Sequence, residues 1–379
     1  MSPRIATAYA PTAARGHASS IADWLLDGPA QLTVGPHAGT VVGTVDADGH
    51  ATYGYPEIAG YYLQWLAWHH RRDDIAADLS SRADAVQHWL DVWLALGHPL
   101  PTRLHLADGV DDWRNRAEFC FDLAMVLRGL SAAADAGLLV PDPTIVAGVV
   151  AALDRLIAAD GMFNAYRAEP ADTDLPERWS TRRGGFLTKA AAGVIVAGAL
   201  PGMTSRVMAA AEATWHASVN AALDTPHDEL HPQLYAFEGI LSLSQHPRTR
   251  AVLPQVAVVF DALLALSATR GTRRGALPER RSGDAATSGP ERVDVLAQTL
   301  RVGCLLQQHL ADWVPDHVAM TRVRHLLAEQ IRSDGSVPFA IVATTPVANV
   351  WAAMFADQAL ALAMHPHASD ERATDPLIV

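Results

Sequence analysis

Two kinds of helical segment alternate along this chain, and the alternation limits what it can fold into. Segments of the first kind are apolar on every side and rich in Ala and Gly, which predicts fully buried helices. Each carries one ionisable residue near its start: Glu57, Asp122, Lys189, Glu238, Asp294 and Asp357. Segments of the second kind are amphipathic, which predicts half-exposed helices. They span about 13–27, 77–96, 142–159, 204–223, 248–268 and 315–333.

The spacing of the six ionisable residues indicates an internal repeat. Successive members lie 65, 67, 49, 56 and 63 residues apart, and each interval accommodates one helix pair with its loops. A pair that cannot bury its own apolar face has to stack on its neighbours. Six buried and six half-exposed helices predict an all-α (α/α)6 barrel with inner and outer rings, forming one toroid domain over residues 1–379. An irregular bundle or an open solenoid would show the same local patterns.

Turn motifs favour the closed barrel. The Asp-Gly pairs that begin at Asp48, Asp160 and Asp334 each follow an amphipathic segment and precede a buried one. All three then lie at the end of the barrel where the inner helices begin, and we expect short β-like turns there. Such agreement between independent local signals supports the global arrangement.

Two segments are predicted to lie outside the helical framework. Residues 270–290 are rich in Arg, Gly and Ser and almost free of apolar residues, which predicts a mobile loop. Residues 366–379 follow the last buried helix and are predicted to form a loose tail.

Composition narrows the classes of partner. Half of the 379 residues are hydrophobic and 18% are charged, which argues for a large core and against disorder. The net charge of −12 disfavours a nucleic-acid surface. The sequence suggests no apolar run of the roughly 18 residues that span a membrane and no secretory signal. We therefore expect neither nucleic acid nor membrane as a partner, and a cytoplasmic location. The oligomeric state stays open.

The alternation, the length, the Asp-Gly turns and the motif Tyr55-Pro-Glu57-Ile-Ala-Gly60-Tyr resemble the six-hairpin glycosidase-like superfamily. The resemblance covers nearly the whole chain and is one of architecture. It implies a carbohydrate-active enzyme, since that superfamily contains glycoside hydrolases, unsaturated-uronide hydrolases, polysaccharide lyases and sugar epimerases. Terpene and lanthionine cyclases are related toroids, but their Asp-x-Asp-Asp motif and Cys-His zinc set are absent here.

Carboxylates at the start of the buried helices are the first candidates for catalysis. In a closed barrel these helix ends converge on one mouth, where free N–H groups favour an anion or a polyhydroxyl ligand. Glycoside hydrolysis needs one protonated and one ionised carboxyl group. Glu57, Asp122, Glu238 and Asp294 are the candidates, although each could instead pair with an arginine. Glu238 and Asp122 come first because apolar residues flank them on both sides.

Other polar and aromatic residues complete the predicted site. His231 is a candidate general base, as in an epimerase or lyase, or else a helix cap. The predicted substrate-binding residues offer flat rings for sugar faces and polar groups for hydroxyls: Tyr53, Tyr55, Trp179, Arg182, Arg183, Tyr235, Arg292, Gln298 and Trp351. Arg182 and Arg183 form either an anion clamp or an exposed basic pair.

Spacing on one helix gives a further expectation. Asp294, Gln298 and Arg301 fall at i, i+4 and i+7 and so share one face. That face is either a polar stripe into the cavity or an internal salt-bridged seam. Lys189 either neutralises a neighbouring carboxylate or binds an anionic substrate.

No nucleotide-binding glycine motif or Cys-x-x-Cys pair occurs, so we expect no cofactor and no metal. The two cysteines, Cys120 and Cys304, are expected as buried thiols, with a bridge left open. The sequence favours a hydrolase or lyase acting on a small sugar, with an acidic sugar as one option. The alternatives are an isomerase, epimerase or cyclase using the same cavity on a sugar or natural-product intermediate, and a non-catalytic binding toroid.

Overall fold

The structure, a computed structural model, describes residues 12–75, 77–282, 289–341 and 347–364. Within them the helices are α1 (Thr12–Asp27), α2 (Pro56–Arg72), α3 (Leu79–Leu94), α4 (Cys120–Asp135), α5 (Pro143–Arg155), α6 (Leu187–Val196), α7 (Ser205–Asp224), α8 (Leu230–Leu241), α9 (Pro247–Leu264), α10 (Leu266–Thr269), α11 (Val293–His309), α12 (His317–Glu329) and α13 (Val350–Met364). Short α10 continues α9, so twelve helical units remain.

The helices form two concentric rings. The inner ring runs α2, α4, α6, α8, α11 and α13, each helix packing on the next, and α13 packs back against α2. The outer helices α3, α5, α7, α9 and α12 pack on inner helices and α1 packs on α13. Contact between the first and last inner helices closes the ring. The predicted (α/α)6 barrel is therefore confirmed.

Glycines allow inner helices to cross closely. A Cβ added to Gly60 of α2 would lie 2.2 Å from the carbonyl oxygen of Met125 in α4, and one on Gly129 would lie 2.5 Å from the carbonyl oxygen of Gly60. Gly239 of α8 meets the backbone of α6 in the same way, 2.3 Å from the nitrogen of Lys189. These contacts are with backbone atoms, which cannot move aside without shifting a helix.

Outer and inner helices begin differently. Outer helices α3, α5 and α12 begin with an aspartate whose carboxylate accepts backbone N–H groups of the first turn: Asp78, Asp142 and Asp316. Inner helices α2, α4, α6, α8 and α11 have no side-chain cap in the part of the chain that the structure describes. Their positive dipole ends therefore lie at one end of the barrel. The first N–H groups of α4, α8 and α11 donate there to loop carbonyl oxygens, those of Ala165, Glu279 and Phe339.

Short β-pairs join the loops at this end, as predicted. They are β1 (Thr44–Val45) with β6 (Ala348–Asn349), β2 (Tyr53–Gly54) with β3 (Leu104–His105), and β4 (Ala117–Phe119) with β5 (Tyr166–Ala168), all antiparallel. The β1–β6 pair links the first and last loops, so it closes the ring a second time. The Asp-Gly turns lie in these loops, with positive φ at Gly49, Gly161 and Gly335.

Three expectations about the rest of the chain have different outcomes. Mobility of 270–290 stays a prediction; within its described part, Ala276 and Leu277 are buried. The predicted tail 366–379 lies outside the described residues. Cys120 and Cys304 are free buried thiols, as expected.

One outer helix departs from the prediction that no segment could span a membrane. Pro247–Thr269, the α9–α10 unit, is 23 residues long and apolar enough to cross one by length and composition. In this fold its Leu253, Val256 and Phe260 are buried. A single helix of this kind is weak evidence for a membrane.

Candidate functional site

A cavity of about 310 Å³ opens at the end of the barrel where the inner helices begin. We call it the mouth cavity. The predicted site residues that line it are Tyr55, Glu57, Asp122, Trp179, His231, Tyr235, Arg292 and Trp351. They come from α2, α4, α8 and α13, from the residues just before α2 and α11, and from one loop, so closure of the barrel is what brings them together.

Two carboxyl groups, Glu57 and Asp122, lie side by side on the wall formed by α2 and α4. Burial, and next the charge of Glu57, raise the pKa of Asp122 well above its usual value. Oδ2 of Asp122 is buried without a hydrogen-bond partner among the described residues, as expected for a protonated carboxyl group. Burial also raises the pKa of Glu57, although a hydrogen bond from Tyr55 and the charge of Lys189 oppose it. Burial thus favours the protonated form of both carboxyl groups on this wall.

His231 of α8 lines the cavity and is 5% exposed. Its ring lies 4.2 Å from that of Tyr235 and 5.8 Å, edge-on, from that of Trp179. Burial, and next the charge of Arg292, lower its pKa to about 3. The imidazole is neutral at physiological pH, so one ring nitrogen has a free lone pair.

Asp294 and Arg292 form an ion pair at the start of α11, in which Arg292 reaches the cavity and Asp294 lies behind it. Nε of Arg292 is 3.0 Å from Oδ1 of Asp294, and Nε1 of Trp351 donates to Oδ2 at 3.0 Å. Burial alone raises the pKa of Asp294, but Arg292 outweighs it and the pKa is about 2. Asp294 is fully buried and thus orients Arg292 and Trp351, which both line the cavity.

Glu238 lies deeper in the barrel than the cavity lining. It is fully buried, with Oε2 2.8 Å from Nζ of Lys189, and its other oxygen accepts from Arg301. Lys189 thus pairs with a neighbouring carboxylate, which is the first of the two roles predicted for it. Gln298 donates to Glu238 at 3.2 Å. The shared face of α11 is therefore an internal polar seam and not a stripe into the cavity.

Arg182 and Arg183 lie outside the mouth cavity, which corrects the predicted anion clamp. Arg182 pairs with Glu177, and Nη1 of Arg183 is 2.5 Å from Oδ2 of Asp160. Both arginines are exposed or half-exposed, so the plainer alternative, a surface basic pair, is the one found. The physical reason is the ion pair with Asp160 of the Asp-Gly turn, which holds Arg183 outside the mouth cavity.

Several lining residues were not predicted, and Arg103 and Arg114 matter most among them. Both share the carboxylate of Asp112, at 3.6 and 2.9 Å. Arg103 also lies over the rings of Tyr53 and Tyr55, with 4.5 and 5.6 Å to their centroids. Tyr53 itself is outside the lining but holds Arg103 in place. These arginines stand in a loop without helical periodicity, so no sequence pattern marked them.

Among the described residues, one group could hold a metal ion by proximity: Asp46, Asp48 and His50. It lies in a hairpin turn, where Oδ1 of Asp46 already accepts backbone N–H groups of the other two. His227 and His231 are four residues apart, a spacing that the sequence reading overlooked. Because α8 begins only at Leu230, the two do not share a helix face. The expectation of no metal stays a prediction.

No known protein family and no curated protein matches this sequence. Solved structures do match over nearly the whole chain. A D-mannose isomerase matches with TM-score 0.67 at 13% identity, covering 96% of this chain and 99% of that one. A cellobiose 2-epimerase from Spirochaeta thermophila DSM 6192 gives 0.65 at 16%, covering 93% and 97%. An unsaturated glucuronyl hydrolase specific for heparin gives 0.59 at 11%, covering 92% and 95%.

These similarities are similarities of fold. They confirm the architectural resemblance to the six-hairpin glycosidase-like enzymes over almost the full length of the chain. At 11% to 16% identity they assign no role to any residue, so the chemistry must be argued from the cavity itself.

Proposed function

We propose that this protein is an isomerase or epimerase that moves a proton beside the carbonyl carbon of a small sugar. His231 is the general base and Asp122 the general acid. The neutral imidazole of His231 on the cavity wall carries the proposal, because glycoside hydrolysis by two carboxyl groups has no need for it. The sequence favoured a hydrolase or lyase and held this reaction as the alternative.

His231 has the properties that a base requires at the start of the reaction. Its low pKa keeps the ring unprotonated, so it is ready to accept a proton at physiological pH. After the transfer the imidazolium would lie 3.6 Å from the carboxylate of Asp294. That ionised group stabilises the charge that forms on the ring.

Asp122 has the complementary property. Because burial raises its pKa well above the usual value, Asp122 is suited to hold a proton and to donate it to a carbonyl oxygen as an enolate develops. When the enediol collapses, His231 gives its proton back to carbon and an enediol hydroxyl gives a proton to Asp122, directly or through Glu57 beside it, so both groups end in their starting states. A base and an acid whose environments push their pKa values in opposite directions are the pattern expected of a proton-transfer site.

The remaining wall fits a sugar. Trp179, Trp351 and Tyr235 offer flat faces for sugar C–H groups. Arg103 and Arg114 share the single carboxylate of Asp112, so this side keeps a surplus positive charge. An acidic sugar would place its carboxylate or phosphate there.

Among the known proteins with similar folds are a sugar isomerase and a sugar epimerase, which agrees with this class of reaction, although glycosidases share the fold as well. A purely binding toroid is disfavoured, since its cavity would be filled and its acids paired. Here the cavity is open and Asp122 has a buried oxygen with no partner in the described chain.

Hydrolysis is the second candidate, and the Glu57–Asp122 pair favours it. One protonated and one ionised carboxyl group are what a glycosidase needs, and a glucuronyl hydrolase shares the fold. The two reactions differ in one respect that can be measured. Hydrolysis consumes water and releases two products, whereas isomerisation keeps the molecular formula.

A turnover screen with matched variants tests the proposal. Aldoses, ketoses, hexuronates, sugar phosphates and unsaturated uronide disaccharides are incubated with the protein and followed by NMR. We expect an isomer of one sugar, with kcat lowered at least about 10²-fold in His231→Gln and in Asp122→Asn. The exposed residues His88 and Asp84 of α3 give the controls His88→Gln and Asp84→Asn, which keep full activity. Cleavage of a disaccharide that does not depend on His231 would replace the proposal by the hydrolase.

A further inference from the structure

A buried chain of side chains connects His231 to the charged centre of the barrel. Nδ1 of His231 lies 2.7 Å from Oε1 of Gln298, and Nε2 of Gln298 lies 3.2 Å from Oε2 of Glu238. Glu238 is held in turn by Lys189 and Arg301. None of these five residues is more than 5% exposed, so bulk water does not compete for their hydrogen bonds.

The direction of each hydrogen bond follows from the carboxylate at the centre. The carboxylate of Glu238 accepts hydrogen bonds from Lys189 and Arg301 and has no hydrogen to donate, so the NH2 group of Gln298 faces Glu238. The amide oxygen then faces His231, and Nδ1 must carry the hydrogen that this oxygen accepts. With the amide reversed, its oxygen would face the Glu238 carboxylate and repel it. The orientation is therefore fixed by charge rather than by packing.

Asp294 does not accept the hydrogen on Nδ1 of His231 in place of Gln298. Its Oδ2 is 3.6 Å from Nδ1 of His231, which is too long for a hydrogen bond. The same oxygen already accepts from two other residues. Nε2 of His231 makes no hydrogen bond within the described ranges, so it is the nitrogen left for a ligand.

We infer that Gln298, anchored by Glu238, is a positioning residue that fixes His231 as the tautomer protonated at Nδ1 and presents an unprotonated Nε2 to the mouth cavity. Gln298 itself does not line the cavity. The use of that lone pair as a base rests on the proposed function, but the tautomer does not. Glu238 and Gln298 are both deeply buried, and together they set which nitrogen of His231 carries the hydrogen.

The tautomer can be measured directly. In protein labelled with 15N-histidine, long-range 1H–15N correlation spectra distinguish the two ring nitrogens, and His231 is assigned by the signal missing from His231→Gln. We expect a pyrrole-type Nδ1 and a pyridine-type Nε2 in the unaltered protein. In Gln298→Met, which keeps the length but loses both hydrogen bonds, we expect a mixture of the two tautomers. In Gln298→Glu a protonated carboxyl group can donate to Glu238 and accept from Nδ1, so the single tautomer is retained.

Kinetics supply a second readout once a substrate is known. Gln298→Met should lower kcat about 10- to 100-fold while KM changes less than about twofold, as for loss of orientation rather than of binding. Gln298→Glu should recover most of that loss, and the exposed Gln255 of α9 gives the control Gln255→Leu. A pyridine-type Nδ1 in the unaltered protein, or an unchanged single tautomer in folded Gln298→Met, overturns the inference. A confirmed tautomer without any sugar turnover overturns only the proposed function.

Discussion

Burial acts on His231 and Asp122 in opposite directions, because it disfavours the charged form of each. The pKa of His231 is lowered and that of Asp122 is raised. The mouth cavity thus places a group favoured as a proton acceptor near a group favoured as a proton donor. Both effects also change the stability of the fold with pH, which allows them to be tested without a substrate.

The first test concerns His231. Its pKa falls from 6.5 to about 3 on folding, so between these values the unfolded chain takes up a proton that the folded chain refuses. Stability is therefore lost as pH falls from about 6.5 towards 3, at up to about 1.4 kcal/mol per pH unit. Urea unfolding between pH 6.5 and 4.5 should show a shallower loss for His231→Gln, while His88→Gln keeps the original slope. Equal slopes for all three proteins would contradict the buried neutral imidazole.

Asp122 should behave in the opposite way. Its pKa is raised well above 3.8 on folding, so the unfolded chain releases a proton that the folded chain retains. Stability is then lost as pH rises above about 4, until the folded group also ionises. Asn does not titrate, so the stability of Asp122→Asn relative to the unaltered protein should increase from pH 4 to pH 7. A stability difference independent of pH would show that Asp122 is ionised in the fold. Asp84→Asn serves as the matched control.

The surroundings of Glu238 could not be predicted from the residues next to it in the sequence. Apolar neighbours on both sides predicted that it would be buried, and it is. They do not show whether a buried carboxyl group faces a cavity or a cation on another helix. Its partners Lys189 and Arg301 are 49 and 63 residues away. Asp122 has similar apolar neighbours and faces the cavity, so only the three-dimensional arrangement distinguishes the two.

At the scale of elements, the sequence predicted all twelve helical units because segments that are apolar on every side alternate with amphipathic segments along the chain. The start of α4 was less well predicted, since a short 3-10 turn, Trp113–Arg116, and strand β4 precede the helix, which begins at Cys120. Pairing with β5, far along the chain, causes this difference. The loop that carries Arg103 and Arg114 has no period at all, which is why an important part of the cavity wall was missed.

The close crossing of α2 and α4 gives a prediction at the same scale. Gly60→Ala would place a Cβ 2.2 Å from a backbone oxygen of α4, so the helices must separate. We expect a loss of about 2–3 kcal/mol in unfolding free energy. Gly148→Ala in outer helix α5 meets only the flexible end of Leu94, at 3.1 Å, and should be neutral or gain up to about 1 kcal/mol from helix propensity. Equal effects in urea titrations would contradict the backbone-to-backbone contact.

At the scale of the whole molecule, the ring exists only if its ends meet. Helix α13 packs on α1, α2 and α11, so a chain ending at residue 349 leaves apolar faces of these three helices uncovered. We expect that truncation to lose cooperative thermal unfolding. A chain ending at residue 365, which lacks only the predicted tail, should keep its melting temperature. Cooperative unfolding of the shorter chain would show that the hairpins are stable without closure.

The six-fold repeat predicted this closure, because six helix pairs of similar length complete a ring. The reaction did not follow from the repeat. Proteins of this architecture carry out several reactions, and the choice among them depends on the groups that face the mouth cavity. Here those groups are His231, whose pKa is lowered, and Asp122, whose pKa is raised.

Solvent deuterium exchange tests the central claim most directly. A sugar that the protein converts is incubated in D2O, and 1H NMR follows the hydrogen on the carbon beside the carbonyl. Removal of that hydrogen by His231 predicts that deuterium enters this position with the unaltered protein and that His231→Gln lowers the rate at least about 10²-fold. Conversion without deuterium at that carbon, or equal exchange in His231→Gln, would contradict the account.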